Sequence, residues 1–242
     1  MEENTNMQSA ASAETKDAVM ENHNLIILDR SGSMGSIRKY AVDAVNETLS
    51  TIKARQEANA ADEKSYVTFI EFCGCGRKVI YDNVPAEKVE PIRYKDYQPC
   101  CTTPLYDAIG NGIIRLSENV CTRNNVSVQV TIITDGYENA SYEFSQVAIK
   151  SLIEAYKAKG WLFVYMGADH DVEKVAYDLS IDNHLEFEKT EQGVHAMADK
   201  FNRCAAVHRG SMKSAFMKRL NDQMSEEEWE AAVDNLNSNF FK

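Results

Sequence analysis

The chain has 242 residues, 44% of them hydrophobic and 26% charged, which is enough apolar material for one large α/β core. A net charge of −11 excludes a general phosphate-binding surface, because sequence-independent nucleic-acid affinity rests on clustered Lys and Arg. No run of about 18 apolar residues could span a bilayer, and Met1-Glu2-Glu3-Asn4-Thr5-Asn6 lacks the basic and apolar regions of a signal peptide. The reading is therefore a cytoplasmic protein with neither nucleic acid nor membrane as partner.

Residues 1–22 are polar and rich in Ala, Ser and Glu, and read as a tail. The first strand is the apolar run Leu25-Ile26-Ile27-Leu28, which ends at Asp29. Apolar residues at helical spacing predict an amphipathic helix over 37–56. A strand over 66–72 follows, then the short connection Cys73-Gly74-Cys75-Gly76 and a second extended run over 77–81, which fits a hairpin with an antiparallel edge strand. Thr103 can cap a helix over 104–118, with Pro104 at its first position and Tyr106 and Asp107 in its first turn. Then come a strand over 126–134, a helix over 145–159 closed by Gly160, a strand over 161–166, a helix over 171–179 and a short strand over 184–187. Alternating strand and helix predicts an α/β fold: a three-layer, Rossmann-like, doubly wound, mostly parallel sheet with one antiparallel edge strand. The main domain is read as 23–208. Beyond it, 209–242 reads as a partly helical extension, with a basic segment over 209–219, a capped acidic helix start at Ser225-Glu226-Glu227-Glu228, and Trp229, Phe240 and Phe241 available to dock.

Three separated turns carry the chemistry. Ligand sites in open α/β sheets lie beyond the carboxyl ends of the strands, so Asp29 stands at the functional edge. Two residues and four residues later, Ser31 and Ser33 bring hydroxyls in a loop that Gly32 lets bend. Thr102-Thr103-Pro104 and Ile133-Thr134-Asp135-Gly136 are two further oxygen-rich turns, the second following a strand that ends on the same edge. Alone, Asp-x-Ser-x-Ser is more often an Asx-turn or helix cap, and Asp-Gly is a common turn dipeptide; the combination reverses that weighting. Neutral hydroxyls with one or two carboxylates suit Mg²⁺ or Mn²⁺ rather than metals that prefer thiols and imidazoles.

The combination resembles the metal-ion-dependent adhesion site of von Willebrand factor A (vWA) domains, with Asp-x-Ser-x-Ser followed by a distant Thr and a more distant Asp. The resemblance covers about residues 24–181 and is closest to intracellular bacterial and phage members, which often read Gly-Gly-Thr-Pro-Leu-Tyr-Asp-Ala where this chain has Cys101-Thr102-Thr103-Pro104-Leu105-Tyr106-Asp107-Ala108. It implies that Ser31, Ser33 and Thr103 are direct or switchable ligands, Thr102 being a second candidate, and that Asp29 and Asp135 hold the metal partly through waters. The implied cofactor is Mg²⁺, or Mn²⁺ or Ca²⁺. The implied function is capture of an Asp or Glu from a protein partner without catalysis, and relatives that act beside ATPases or in multiprotein assemblies extend the expectation to such partners. Two alternatives are a Mg²⁺-dependent phosphoryl-transfer hydrolase with Asp29 as nucleophile, and a scaffold whose metal site is vestigial. The hydrolase reading is weakened by Ser31, which stands where such enzymes carry a second Asp.

Cys73, Cys75, Cys100 and Cys101 are brought toward one edge by this topology. The spacing lacks the two-residue separation of a standard zinc knuckle, so free thiols are the first reading, with a disulfide or a thiolate Zn²⁺ site as alternatives. Cys121 and Cys204 read as core thiols.

Overall fold

The computed structural model describes residues 19–120 and 125–242. In chain order these form β1 (Met20–Asp29), α1 (Arg38–Ala58), β2 (Glu63–Cys73), β3 (Gly76–Pro85), α2 (Leu105–Val120), β4 (Val126–Thr134), α3 (Gln146–Lys157), β5 (Leu162–Gly167), α4 (Val172–Asp178), β6 (Asn183–Glu186), α5 (Glu191–Leu220) and α6 (Glu226–Ser238). The strands make one sheet in the order β3-β2-β1-β4-β5-β6. Only the β2–β3 pairing is antiparallel. The expected three-layer α/β architecture with an antiparallel edge strand is the observed one.

Strand alternation divides the core in two. On β1, Ile26 and Leu28 face the layer containing α1 and α5, whereas Leu25 and Ile27 face the layer containing α2 and α3. β1 is central, and the chain leaves it toward β2 on one side before returning to β4 on the other. The carboxyl ends of β1 and β4 therefore flank a topological switch point, the usual place for a ligand crevice.

Three sequence expectations change. Residues 20–22, read as tail, belong to β1; the rest of that tail up to residue 18 lies outside the described residues, as does Cys121. The strand start was hidden because its polar side chains are buried but paired: Asn22 donates to Glu63 at 3.3 Å, His23 bonds Asn83 at 2.8 Å, and Asn24 donates to the Tyr66 carbonyl at 3.1 Å. The boundary at 209 falls inside α5, which runs unbroken to Leu220. Gly210 in mid-helix disfavours that continuity by roughly 1 kcal/mol. The second half of α5 nevertheless buries Met212 and Phe216 against Met20 of β1 and Trp229 and Val233 of α6. α6 starts in the predicted capping box, with Ser225 and Glu228 bonding reciprocally, and Phe240 enters the main core. Finally, the first turn of α2 is not capped by the Thr103 side chain: Leu105 N donates to the Thr103 carbonyl, and a neighbouring loop takes the next two amides, Tyr106 N donating to Glu138 and Asp107 N to Ser141. Among the described residues no helix is long and apolar enough to cross a membrane.

Candidate metal centre at the sheet edge

Asp29 closes β1 fully buried. Its Oδ1 accepts the Ser31 amide at 2.6 Å and its Oδ2 the Thr134 hydroxyl at 2.7 Å. The Thr134 contact ties the ends of β1 and β4 together across the switch point. Burial pushes the Asp29 carboxyl up to about 6, against these hydrogen bonds, which favour its charged form.

The turn after Asp29 folds as a short 3₁₀ segment, Gly32–Ile37, anchored by buried Met34 and Ile37. It lays Ser31 Oγ 3.1 Å from Ser33 Oγ, and Ser33 Oγ donates to Asp135 Oδ1 at 2.5 Å. Asp135 is buried immediately beyond β4. Four of the five residues singled out from the sequence thus form a connected set of oxygens: Asp29, Ser31, Ser33 and Asp135. The fifth, Thr103, is buried in an adjoining loop, its backbone held by Asn139 at 2.9 and 3.1 Å. That loop abuts the serine turn through the Gly32 amide, which donates to the Cys101 carbonyl at 3.0 Å. Thr102 instead meets the β2–β3 hairpin, its carbonyl accepting from Gly74 at 2.8 Å.

Ser31 Oγ and Ser33 Oγ, 3.1 Å apart, are close to the edge of about 3.0 Å of an octahedron around Mg²⁺ with metal–oxygen distances of about 2.1 Å, whereas Ser33 Oγ and Asp135 Oδ1 stand at a short hydrogen-bond distance. Neutral hydroxyls beside carboxylates are a hard donor set of the kind that ion takes.

One participant was not foreseen. Lys189, just before the α5 N-cap Thr190, places Nζ 2.8 Å from Asp135 Oδ2 and 3.0 Å from Asp169 Oδ2. Asp135 Oδ2 is buried with no hydrogen bond of good angle, so the ammonium is its counter-charge. Burial alone would lower the Lys189 pKa, but Asp135 and Asp169 outweigh it and hold the ammonium above its ordinary range. The available sequence signal was position, since a residue just after the last strand of a parallel sheet returns to the same carboxyl edge as Asp29.

Asp107, read as a helix-start residue and not a ligand, has a structural task. Its carboxylate accepts three consecutive amides, from Tyr142, Glu143 and Phe144, at 2.9 to 3.0 Å. This fixes the loop after Asp135, on which Tyr137 and Tyr142 are exposed.

No protein-family model and no curated protein matches the sequence. Solved structures match its fold. The pilus adhesin SpaC from Lactobacillus rhamnosus GG aligns with a TM-score of 0.57 at 14% identity, over 76% of this chain and 30% of the adhesin. The PilB minor pilin from Streptococcus sanguinis aligns at 0.52 and 13% identity, over 77% of this chain and 61% of the pilin. The VWA domain of SpRpn10 aligns at 0.51 and 10% identity, over 75% of this chain and 95% of that domain. The fold is that of a VWA domain. The chain spans well under two thirds of the adhesin and slightly under two thirds of the pilin, but nearly all of the isolated VWA domain. In this VWA-like frame Asp29 and Asp135 end adjacent parallel strands, and α5 begins at the same edge.

Proposed function

We propose that this VWA-like chain is a divalent-cation-dependent protein-binding module that captures an Asp or Glu side chain of a protein partner. The observation that carries the reading is the continuous set of oxygens from Asp29 through Ser31 and Ser33 to Asp135 at the switch point. Ser31, Ser33 and Thr103 would hold Mg²⁺, with Asp29 and Asp135 behind them. When bound, the ion supplies a positive centre that a carboxylate can complete.

The residues around it do the rest. Asp29 orients the serine turn through the Ser31 amide, and Thr134 fixes the carboxylate in turn. Ser33 carries its hydroxyl at the exposed side of the set. Tyr137 and Tyr142 offer aromatic surface of the kind enriched at protein interfaces. A chain of net charge −11 repels acidic partners in general, so local positive charge at this edge makes capture specific and metal-dependent. A non-catalytic role is supported by Asp29 itself: it is buried and bonded through both oxygens, which disfavours its attack on a phosphoryl group. An intracellular setting, beside an ATPase or within a multiprotein assembly, completes the proposal.

The test is calorimetric titration of the chelator-treated protein with Mg²⁺ and Mn²⁺, with and without acetate as a surrogate carboxylate, for wild type and Asp29→Asn. Asn can still accept the Ser31 amide, so the fold is expected to survive, as circular dichroism would verify. Saturable binding strengthened by acetate and lost in Asp29→Asn is the expected result. A wild type that binds neither ion would sink the proposal.

A further inference from the structure

The β2–β3 hairpin turns through Gly74 and Cys75, with Cys73 paired to Gly76. Its tip settles on the loop before α2. The Gly74 amide donates to the Thr102 carbonyl at 2.8 Å, and a Cβ on Gly74 would come within 2.2 Å of Thr102 Oγ1. Glycine permits this close approach. The Cys100 amide donates to the Arg30 carbonyl at 2.9 Å and the Cys101 carbonyl receives the Gly32 amide, so both strands of the junction are fixed by backbone bonds.

Three sulfurs meet at that junction, and a fourth, Cys101 Sγ, joins them through Cys75. Cys73 Sγ lies 3.5 Å from Cys100 Sγ, Cys75 Sγ 3.8 Å from Cys100 Sγ, and Cys75 Sγ 2.7 Å from Cys101 Sγ. The sulfurs of Cys73, Cys75 and Cys100 all lie within 4.8 Å of one another. A tetrahedral Zn²⁺ with Zn–S bonds of about 2.3 Å sets its sulfurs about 3.8 Å apart, close to two of these three separations. The third falls between that edge and a disulfide, which marks Cys75 and Cys101 as the pair where oxidation would compete with metal.

Two further observations concern the same atoms. Cys101 sits at φ 59°, a left-handed conformation that disfavours any residue with a Cβ and in which glycine would be at ease. The Cys101 side chain is therefore held there at a conformational cost. Arg30 Nη1 lies 4.0 Å from Cys100 Sγ, supplying positive charge beside a group of thiolates.

We infer that Cys73, Cys75, Cys100 and Cys101 form a four-thiolate site for one Zn²⁺, clamping the β2–β3 hairpin to the loop that leads into Thr103. The inference stands apart from the oxygen site, because the ligand sets share no residue and soft sulfurs select a different metal from hard oxygens. The spacing Cys-x-Cys followed by an adjacent pair works here because a two-residue hairpin and a left-handed loop residue aim the sulfurs.

The test uses the full chain, reduced and stripped of metal, titrated with Co²⁺ in excess Mg²⁺. Expected are visible and near-ultraviolet bands of tetrahedral thiolate Co²⁺ at one equivalent, bleached by one equivalent of Zn²⁺. Asp29→Asn should leave the bands unchanged. Cys75→Ser should weaken binding by about 100-fold or more, judged against the losses of about 10- to 100-fold seen for mere supporting residues. Cys101→Gly, which relieves the backbone and so should fold at least as well by circular dichroism, should lose the four-sulfur spectrum. A reduced wild type without these bands would overturn the inference, as would bands of full strength in Cys101→Gly. So would a protein that mass spectrometry finds lighter by two hydrogens at Cys75 and Cys101 and that, once reduced, still takes up no Zn²⁺.

Discussion

At Asp135 two cations compete for one carboxylate: the Lys189 ammonium, 2.8 Å away, and any divalent ion that Ser31 and Ser33 help to hold. The competition has a direction. While Lys189 is seated it neutralises Asp135 and favours the metal-free arrangement, so Lys189→Met, which keeps the length of the side chain and drops its charge, should raise Mg²⁺ affinity by about tenfold, equivalent to about 1.4 kcal/mol. Calorimetric titration at fixed ionic strength would reveal it, and an unchanged affinity would mean that Lys189 moves aside at no cost. The difference between Asp135 and Lys189 also shows which parts of the site could be read from sequence. Asp29, Ser31 and Ser33 are local, in one turn after one strand, and Asp135 repeats the strand-then-Asp pattern. Lys189 carries no motif. Its place follows only once β6 is known to run parallel to β5 and deliver its successor to the same edge.

Among the elements, the loop from 136 to 144 has no regular structure and is organised from within by carboxylates. Glu138 accepts the Ala140 and Ser141 amides, each at 2.7 Å, and Asp107 reaches across from α2 to take three more. Hydrogen bonds to a charged group contribute roughly 1.5–3 kcal/mol each, and less where water can replace the lost acceptor, as it can at exposed Tyr142 and Glu143. Asp107→Ala should therefore destabilise the protein by about 3–5 kcal/mol, visible in urea unfolding, and speed amide exchange at Tyr142, Glu143 and Phe144. Faster exchange confined to α2 would contradict this account. Asp107 was legible as a helix-start residue because Asp favours a first turn, but its partners are some 35 positions later in the chain, beyond any local pattern. The same limit applied to α5. Arg209 and Gly210 interrupt its periodicity locally, and the reason it continues, burial of Phe216 against Trp229 and Met20, involves residues at both ends of the chain.

For the molecule as a whole, the two edges of the sheet carry opposite electrostatic stresses. At the carboxyl edge burial raises Asp29 to about 6. The other edge is closed by α5 and α6. There burial lowers His208 to about 4, the hydrogen bond it donates to Asn237 opposing and Arg209 adding to the shift. His208 bonds Asn237 of α6 at 2.8 Å and packs against Phe240, while Asn237 in turn donates to the Gly160 carbonyl beside the start of β5. The signs differ. A histidine whose folded pKa lies below its unfolded value of 6.5 takes up protons first in the unfolded chain, so stability is full above about pH 6.5 and falls as pH drops toward 4. An aspartate raised from 3.8 binds its proton first in the folded state, so its burial penalty is relieved as pH falls through 6. Between pH 7 and pH 5 the first effect amounts to roughly 2 kcal/mol of loss and the second to roughly 1 kcal/mol of gain, so in metal-free wild type the second cancels about half of the first. Substitution separates them. His208→Gln, which can still donate to Asn237, should gain stability relative to wild type by roughly 2 kcal/mol on going from pH 7 to pH 5, whereas Asp29→Asn should lose about 1 kcal/mol over the same range. Urea midpoints of the three proteins in chelator at both pH values would measure this; parallel shifts in all three would show that neither burial sets the pH response.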